Sequence, residues 1–356
     1  MTLSGRYFIP GPVEVDPAVM QAMLQPMIAH RGPKGHALVA RLQPGLRALF
    51  CTERPVMLST GSATSMMEAA VRAGVRDRLL AVVSGTFGER FAHTAEQCGK
   101  EVVRLHVPRG AVLEPELLAQ MLDGPPMDAV SLVHCETSTG SLAPLEALLP
   151  ILRKLPDVIT LVDAVTSIGG SPVLTDEWQP DFIFTGSQKA MGLPPGLAFA
   201  VASDRFLERA RELDDRGFYL DVVALHRAAE QLRFPQTPAL PVVYALEAQL
   251  ERILVEGLEA RWLRHRALRE RVERWVAGHG RCSFFALPGR RADTISALRL
   301  RDDLSARAVA AELAAEGWDV AIGLDEDEDH LIRIGHMGDL LPEQLDPLLS
   351  LLEPRL

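Results

Sequence analysis

The sequence predicts an α/β protein with a mainly parallel sheet covered by helices on both faces, followed by a smaller α/β unit. Three observations carry this expectation. The 356 residues are too many for one minimal domain and suit a large domain with a smaller companion. From about residue 55 to 202, short apolar runs bounded by turn residues alternate with segments of helical spacing. Beyond Pro241 the pattern changes to long helical stretches with only a few strand-like runs.

The elements read in order as follows. Val56-Met57-Leu58 precedes a helical stretch from Thr64 to Val75, and Leu79 to Val83 precedes one from Gly88 to Cys98. Val102 to Leu105 leads to Glu114–Leu122, and Ala129 to Val133 leads to a helix around Leu145 to Leu155. Three further runs, Val158–Val162, Phe182–Phe184 and Leu197–Val201, complete the region. A single long helix is then expected from about Val242 to Ala277, because no proline interrupts it. Strands at Ile295–Leu300 and Leu331–Ile334 and amphipathic helices at Ser305–Glu316 and Pro342–Leu352 close the chain.

Composition narrows the function. Hydrophobic residues make up 47% and charged residues 24%, as in an ordinary globular protein. A formal net charge of −10 argues against a nucleic-acid partner, which usually requires a basic face. The arginine-rich stretch Arg261–Arg274 reads as a solvated helix face, with Glu270 and Glu273 interleaved. The acidic run Asp325-Glu326-Asp327-Glu328-Asp329 lacks periodicity and reads as a solvated turn. No apolar run is long enough to cross a bilayer, and the segment Met1–Arg6 lacks a signal peptide's character. Cys51, Cys98, Cys135 and Cys282 show no pair spacing, so neither disulfides nor a zinc site is indicated. The expectation is a cytoplasmic protein with no membrane association.

In a parallel sheet, ligands gather at the carboxyl ends of the strands, and four such ends carry suggestive residues. Thr60-Gly61-Ser62-Ala63-Thr64 joins a strand to a helix; free N–H groups and hydroxyls there suit a phosphate, although a plain N-cap looks the same. Asp163 ends the run Leu161-Val162-Asp163, where a buried acid needs a partner and a protonated pyridine nitrogen would serve. Lys189 follows the next run inside Gly186-Ser187-Gln188-Lys189, ahead of Pro194-Pro195-Gly196. A lysine so placed, 26 positions after Asp163, is suited to form an imine and then to move protons. His134-Cys135-Glu136-Thr137-Ser138-Thr139-Gly140 offers hydroxyls after a fourth strand, with Cys135 read as a buried structural thiol.

These four segments, in this order, resemble the class V, fold type I, pyridoxal-phosphate (PLP) aminotransferases, in particular the serine–pyruvate, alanine–glyoxylate and serine–glyoxylate group. The resemblance extends from Pro10-Gly11-Pro12 to Leu331-Ile332-Arg333-Ile334-Gly335-His336. It implies PLP as cofactor and Lys189 as the Schiff-base lysine, with Asp163 on the pyridine nitrogen. Ser62, Ala63, Thr64 and Gln188 would hold the phosphate, and Ser138 would lie near the ring hydroxyl. Phe87 falls where many relatives place a stacking tryptophan, and Phe234 where they often have tyrosine. Thr237 matches a residue that reaches the phosphate of a neighbouring subunit, so a homodimer is implied. Gly11 and Arg333 are the implied substrate contacts, Arg333 gripping a carboxylate through paired hydrogen bonds. Residues 1–20 would form an N-terminal arm, 21–241 the large PLP-binding domain, and 242–356 a linking helix with a small domain.

The implied reaction moves an amino group from a small amino acid of the alanine or serine type to a 2-oxo acid of the glyoxylate or pyruvate type. Cysteine desulfuration or lyase chemistry is the nearest rival on the same fold. Relatives that do it usually carry histidine at the positions of Gln188 and Phe87. Transamination of 2-aminoethylphosphonate is a further alternative. A non-catalytic nucleotide-binding protein would leave Asp163 and Lys189 idle and lacks any G-x-G-x-x-G or Walker pattern.

Overall fold

A computed structural model describes residues 3–122 and 126–356, so the first two residues of the expected arm lie outside the described residues. The strands are β1 (Tyr7–Phe8), β2 (Met57–Thr60), β3 (Arg78–Val83), β4 (Glu101–His106), β5 (Ala129–Val133), β6 (Cys135–Glu136) and β7 (Ser141–Leu142). There follow β8 (Ile159–Asp163), β9 (Phe182–Gly186), β10 (Leu197–Ala202), β11 (Ser283–Phe284), β12 (Ile295–Arg299), β13 (Asp319–Ile322) and β14 (Leu331–Gly335). Each apolar run read between residues 56 and 201 is a strand of one seven-stranded sheet, ordered β2-β10-β9-β8-β5-β3-β4.

Neighbouring pairs among β9, β8, β5, β3 and β4 are parallel, whereas β10 runs antiparallel to both β9 and β2. The reversal has a simple cause: the connection 187–196 is too short to carry a crossover helix. Alternate strand residues feed two cores. Leu80, Val82, Val130, Leu132 and Val162 pack on one face, and Leu79, Ala81, Val83, Ile159 and Leu161 on the other. The parallel pairing of β9, β8, β5 and β3, with β2 set in the same direction across the antiparallel β10, brings the ends of β2, β3, β5, β8 and β9 to one edge.

The second sheet, ordered β1-β13-β14-β12-β11, has its own core around Leu298, Ile332, Ile334 and Leu349. Its edge strand β1 comes from the N-terminal segment and pairs in parallel with β13. Gly335, at the end of β14, permits this crossing: a Cβ there would lie 2.5 Å from the carbonyl oxygen of Ile9.

Three expectations need correction. The long helix is two helices, Leu240–Glu256 and Leu258–His279, separated by Gly257 at φ +82°, a conformation that glycine adopts without a Cβ penalty. An 18-residue helix, Pro33–Phe50, lies where no helix was read, its periodicity masked by Gly35, Pro44 and Gly45. The arginine-rich stretch is not a solvated face. Arg261 is 1% exposed and donates to the carbonyls of Gly169 (3.0 Å) and Ala190 (2.9 Å). It is also paired with Glu256 at 2.7 Å and Asp339 at 2.9 Å. This arginine ties the second helix to the loop that follows Lys189. Arg261→Ala is expected to cost about 3–5 kcal/mol, because it strands buried acceptors and a carboxylate. Denaturant unfolding of the purified protein measures it.

Candidate active site

The strand ends converge on a narrow cavity lined by Ser62, Ala63, Thr64, Phe87, Asp163, Gln188 and Lys189, among others. Three strands and two helix starts supply them. At one end, Ser62 caps the helix Ala63–Gly74 without spending its hydroxyl on a cap bond. The hydroxyl and the first-turn N–H groups therefore remain available to an anion, and the helix dipole favours one. Gly186 admits Gln188 to this end: a Cβ there would sit 2.6 Å from Gln188 Oε1 and 3.1 Å from the Ala63 Cβ.

At the other end lies Asp163, 4% exposed, its Oδ1 accepting from the Val165 N–H at 2.9 Å. Burial pushes its carboxyl up to about 7, only partly opposed by that hydrogen bond. A cation beside it would lower this value, and the protonated nitrogen of a pyridine ring is the group that fits. Between the ends stands Lys189, 7% exposed, with Nζ donating to the Pro10 carbonyl and lying 6.0 Å from the centre of the Phe87 ring. Burial lowers its amine to about 8, so its uncharged fraction near neutrality, though minor, is far larger than that of an ordinary lysine. Gly11 packs against it so closely that a Cβ would come within 2.6 Å of Lys189 Cδ.

Arg333, on the central strand β14, is 7% exposed. Its Nε donates to the Ile322 carbonyl at 2.7 Å and one terminal nitrogen to the Thr137 carbonyl at 3.2 Å. Burial lowers it to about 10, with the Glu136 and Asp325 carboxylates acting in the opposite sense. The guanidinium is thus held by backbone rather than by a salt bridge.

The His134–Gly140 stretch is arranged otherwise than expected. Ser138 is fully buried and its hydroxyl donates to Glu136 Oε1 at 2.6 Å; the hydroxyl that lines the cavity is that of Thr137, bonded to Thr166 Oγ1 at 2.6 Å. Glu136 is the residue that sequence reasoning missed. Its buried carboxylate also accepts from the N–H groups of Phe87 (3.1 Å) and Gly88 (3.2 Å) and so fixes the helix Thr86–Gln97 that carries Phe87. An acid directly after a buried strand was the available signal, since it must find donors. Arg90, also unremarked, lines the cavity with its guanidinium 4.7 Å from the Phe87 ring centre. Cys135 is buried with its thiol pushed up to about 12, which leaves it protonated. Thr237 is exposed and does not line this cavity. Phe234 is buried in the core.

Comparison with known proteins adds a second line. The Aminotransferase class-V family profile matches residues 88–325. An uncharacterized aminotransferase of Methanocaldococcus jannaschii is 34% identical over 336 residues, covering 93% of this chain and 87% of its own. The serine–glyoxylate aminotransferase of Methylorubrum extorquens is 30% identical, covering 94% and 86%. A crystal structure of alanine–glyoxylate aminotransferase from Nostoc sp. superposes with a TM-score of 0.93 at 32% identity, over 98% of this chain and 94% of that one. A NifS-like protein, at 16% identity and a TM-score of 0.76, shares the fold alone. With an open helix N-terminus, a buried acid and a desolvated lysine in one cavity, the chain belongs to the class V aminotransferases and is a PLP-dependent enzyme of fold type I.

Proposed function

We propose that this aminotransferase takes its amino group from a small amino acid of the alanine or serine type and delivers it to a small 2-oxo acid such as glyoxylate or pyruvate. The supporting observation is the meeting of Asp163 and a desolvated Lys189 in one narrow cavity, Gly11 packed against the lysine side chain. Relatives named for alanine, serine and glyoxylate point the same way.

PLP supplies an electrophilic carbon and a ring that accepts electrons when a Cα–H is removed. Ser62, Ala63, Thr64 and Gln188 would hold its phosphate, and Phe87, which lines the same cavity, would supply an apolar face to the ring. Asp163 would pair with the ring nitrogen and hold it protonated, the pairing in turn keeping the buried carboxylate charged. Lys189 would be the lysine that carries the cofactor, and its Nζ, in the uncharged form that burial favours, would be the group that moves the proton at the substrate Cα. Arg333 grips the substrate carboxylate and orients that Cα–H. Residues 21–241 serve as the cofactor-binding domain, and a second copy of the chain brings the exposed Thr237 to its partner's phosphate end.

Arg333→Ala is expected to lower kcat/KM by about 10²–10³, mostly through KM, as removal of a buried charged partner does. Titration with PLP should stay close to wild type. Equal loss of both affinities would place Arg333 elsewhere. The donor is tested by incubating the holoenzyme with alanine or serine plus glyoxylate or pyruvate, and separately with cysteine. Amino-group exchange with the first set is expected. Sulfide release without exchange would establish desulfuration instead.

A further inference from the structure

The helix Thr86–Gln97 begins without a cap of its own, because Gly85 at its N-cap has no side chain to offer. Its first N–H groups are met by residues from the end of another strand. Glu136 is 1% exposed, and its Oε2 accepts from the N–H groups of Phe87 at 3.1 Å and Gly88 at 3.2 Å. Its Oε1 accepts from the Ser138 N–H at 3.0 Å and the Ser138 hydroxyl at 2.6 Å. That hydroxyl in turn accepts from the Thr86 N–H at 3.1 Å. Thr86, Phe87 and Gly88, the first three residues of the helix, are thus all satisfied by Glu136 and Ser138. Gly85 permits the approach: a Cβ there would lie 2.7 Å from Glu136 Cδ.

The chemistry at this junction calls for a carboxylate. Every group bonded to the Glu136 side chain is a donor, and an ionised acid is the side chain that only accepts. An amide of the same shape would turn its NH2 against either the helix N–H pair or Ser138. The charge also faces the positive end of the helix dipole, which offsets part of the cost of burying it. Glu136 does not line the cavity, whereas Phe87, whose own N–H it holds, does. Farther along, the helix is anchored separately, with Phe91, Ala92 and Ala95 in the core. Loss of Glu136 would therefore loosen the first turn, Phe87 included, and leave the rest of the helix in place.

We propose that Glu136 is a positioning residue for the cofactor: without touching it, Glu136 fixes the backbone of Phe87 and so holds that ring against the cofactor's ring face. The inference rests on the reading of Phe87 as the ring's neighbour. Its physical basis is the steep distance dependence of packing between two flat groups. A gap of about 0.5–1 Å forfeits about a quarter to a half of the dispersion contact. A first turn with unmet N–H groups would shift towards other acceptors, and Phe87 would move with it.

The test is a double-variant cycle on PLP affinity, read by spectral titration of the cofactor-free full chain as wild type, Phe87→Ala, Glu136→Gln and the two combined. Each single variant should weaken PLP binding by about three- to tenfold, the range for one stacked aromatic contact. The combined variant should be no weaker than Phe87→Ala, because a residue that acts through Phe87 then has nothing left to position. Losses that add in the combined variant overturn the inference, as does a Glu136→Gln protein with wild-type affinity. The visible circular dichroism of the bound cofactor should also shift in Glu136→Gln, which a loss of stability alone would not produce; an unchanged signal overturns the inference as well. Should Glu136→Gln fail to fold, Ser138→Ala removes only the hydroxyl between Glu136 and the Thr86 N–H, and the same non-additivity with Phe87→Ala is expected. A Phe87→Ala protein with wild-type affinity would remove Phe87 from the ring face, and the inference with it. That failure is distinct, because the single variant reveals it before any comparison at position 136.

Discussion

Lys189→Ala should give a protein that binds PLP without the absorption band that borohydride abolishes in the wild type, and kcat should fall by about 10³ or more. Two losses combine in this figure. The variant has no amine to join the cofactor covalently, and it lacks the group that carries the proton, a role worth about 10²–10⁴ by itself. The structure adds a pH signature. Burial lowers the lysine to about 8, so its uncharged fraction grows as pH rises through that value and shrinks below it. Uptake of PLP into the borohydride-sensitive form by cofactor-free protein should therefore accelerate between about pH 7 and 9. A midpoint near 10.5, the ordinary lysine value, would show that the cavity does not desolvate the amine. A variant that kept the borohydride-sensitive band would remove Lys189 from its proposed role.

Asp163→Ala should lower kcat by about 10²–10³, the range for deleting a preorganised charge where charge changes during reaction. Its carboxyl is raised to about 7 by burial even with the Lys189 and Arg90 charges acting in the opposite sense, so it is held in the folded chain at a cost. A protonated ring nitrogen removes that cost and gains a counter-charge in return. PLP affinity should consequently fall in the variant by about tenfold or more, the worth of a charged hydrogen bond. Asp163→Glu keeps the charge but displaces it, and should lie between alanine and wild type. Spectral titration gives the affinity, and single turnovers with alanine give the rate. An alanine variant with wild-type affinity and rate would mean that the cofactor's nitrogen lies elsewhere.

Much of the large sheet was legible because strands buried on both faces leave unbroken apolar runs, and both Asp163 and Lys189 sit directly at the ends of such runs. The second sheet was harder. β1 and β11 are two residues each, too short for any periodicity, and β13 (Asp319–Ile322) is half-exposed and only weakly apolar. Within the site, strand ends were visible but side-chain direction was not. Ser138 and Thr137 differ by one position, which decides whether a hydroxyl meets Glu136 or the cavity. The burial of Arg261 was likewise out of reach, because its acceptors at Gly169 and Ala190 are far away in sequence.

The N-terminal segment links the two sheets. β1 belongs to the C-terminal sheet through β13, yet two residues later the Pro10 carbonyl receives the Lys189 amine, and the Val13 N–H then donates to the Gln188 carbonyl at 3.1 Å. A few residues therefore act as a drawbar between the sheet that bears Arg333 and the turn that bears Lys189. A displacement of the small sheet would therefore be felt at the very carbonyl that restrains the lysine, because only a short stretch of chain separates that carbonyl from β1.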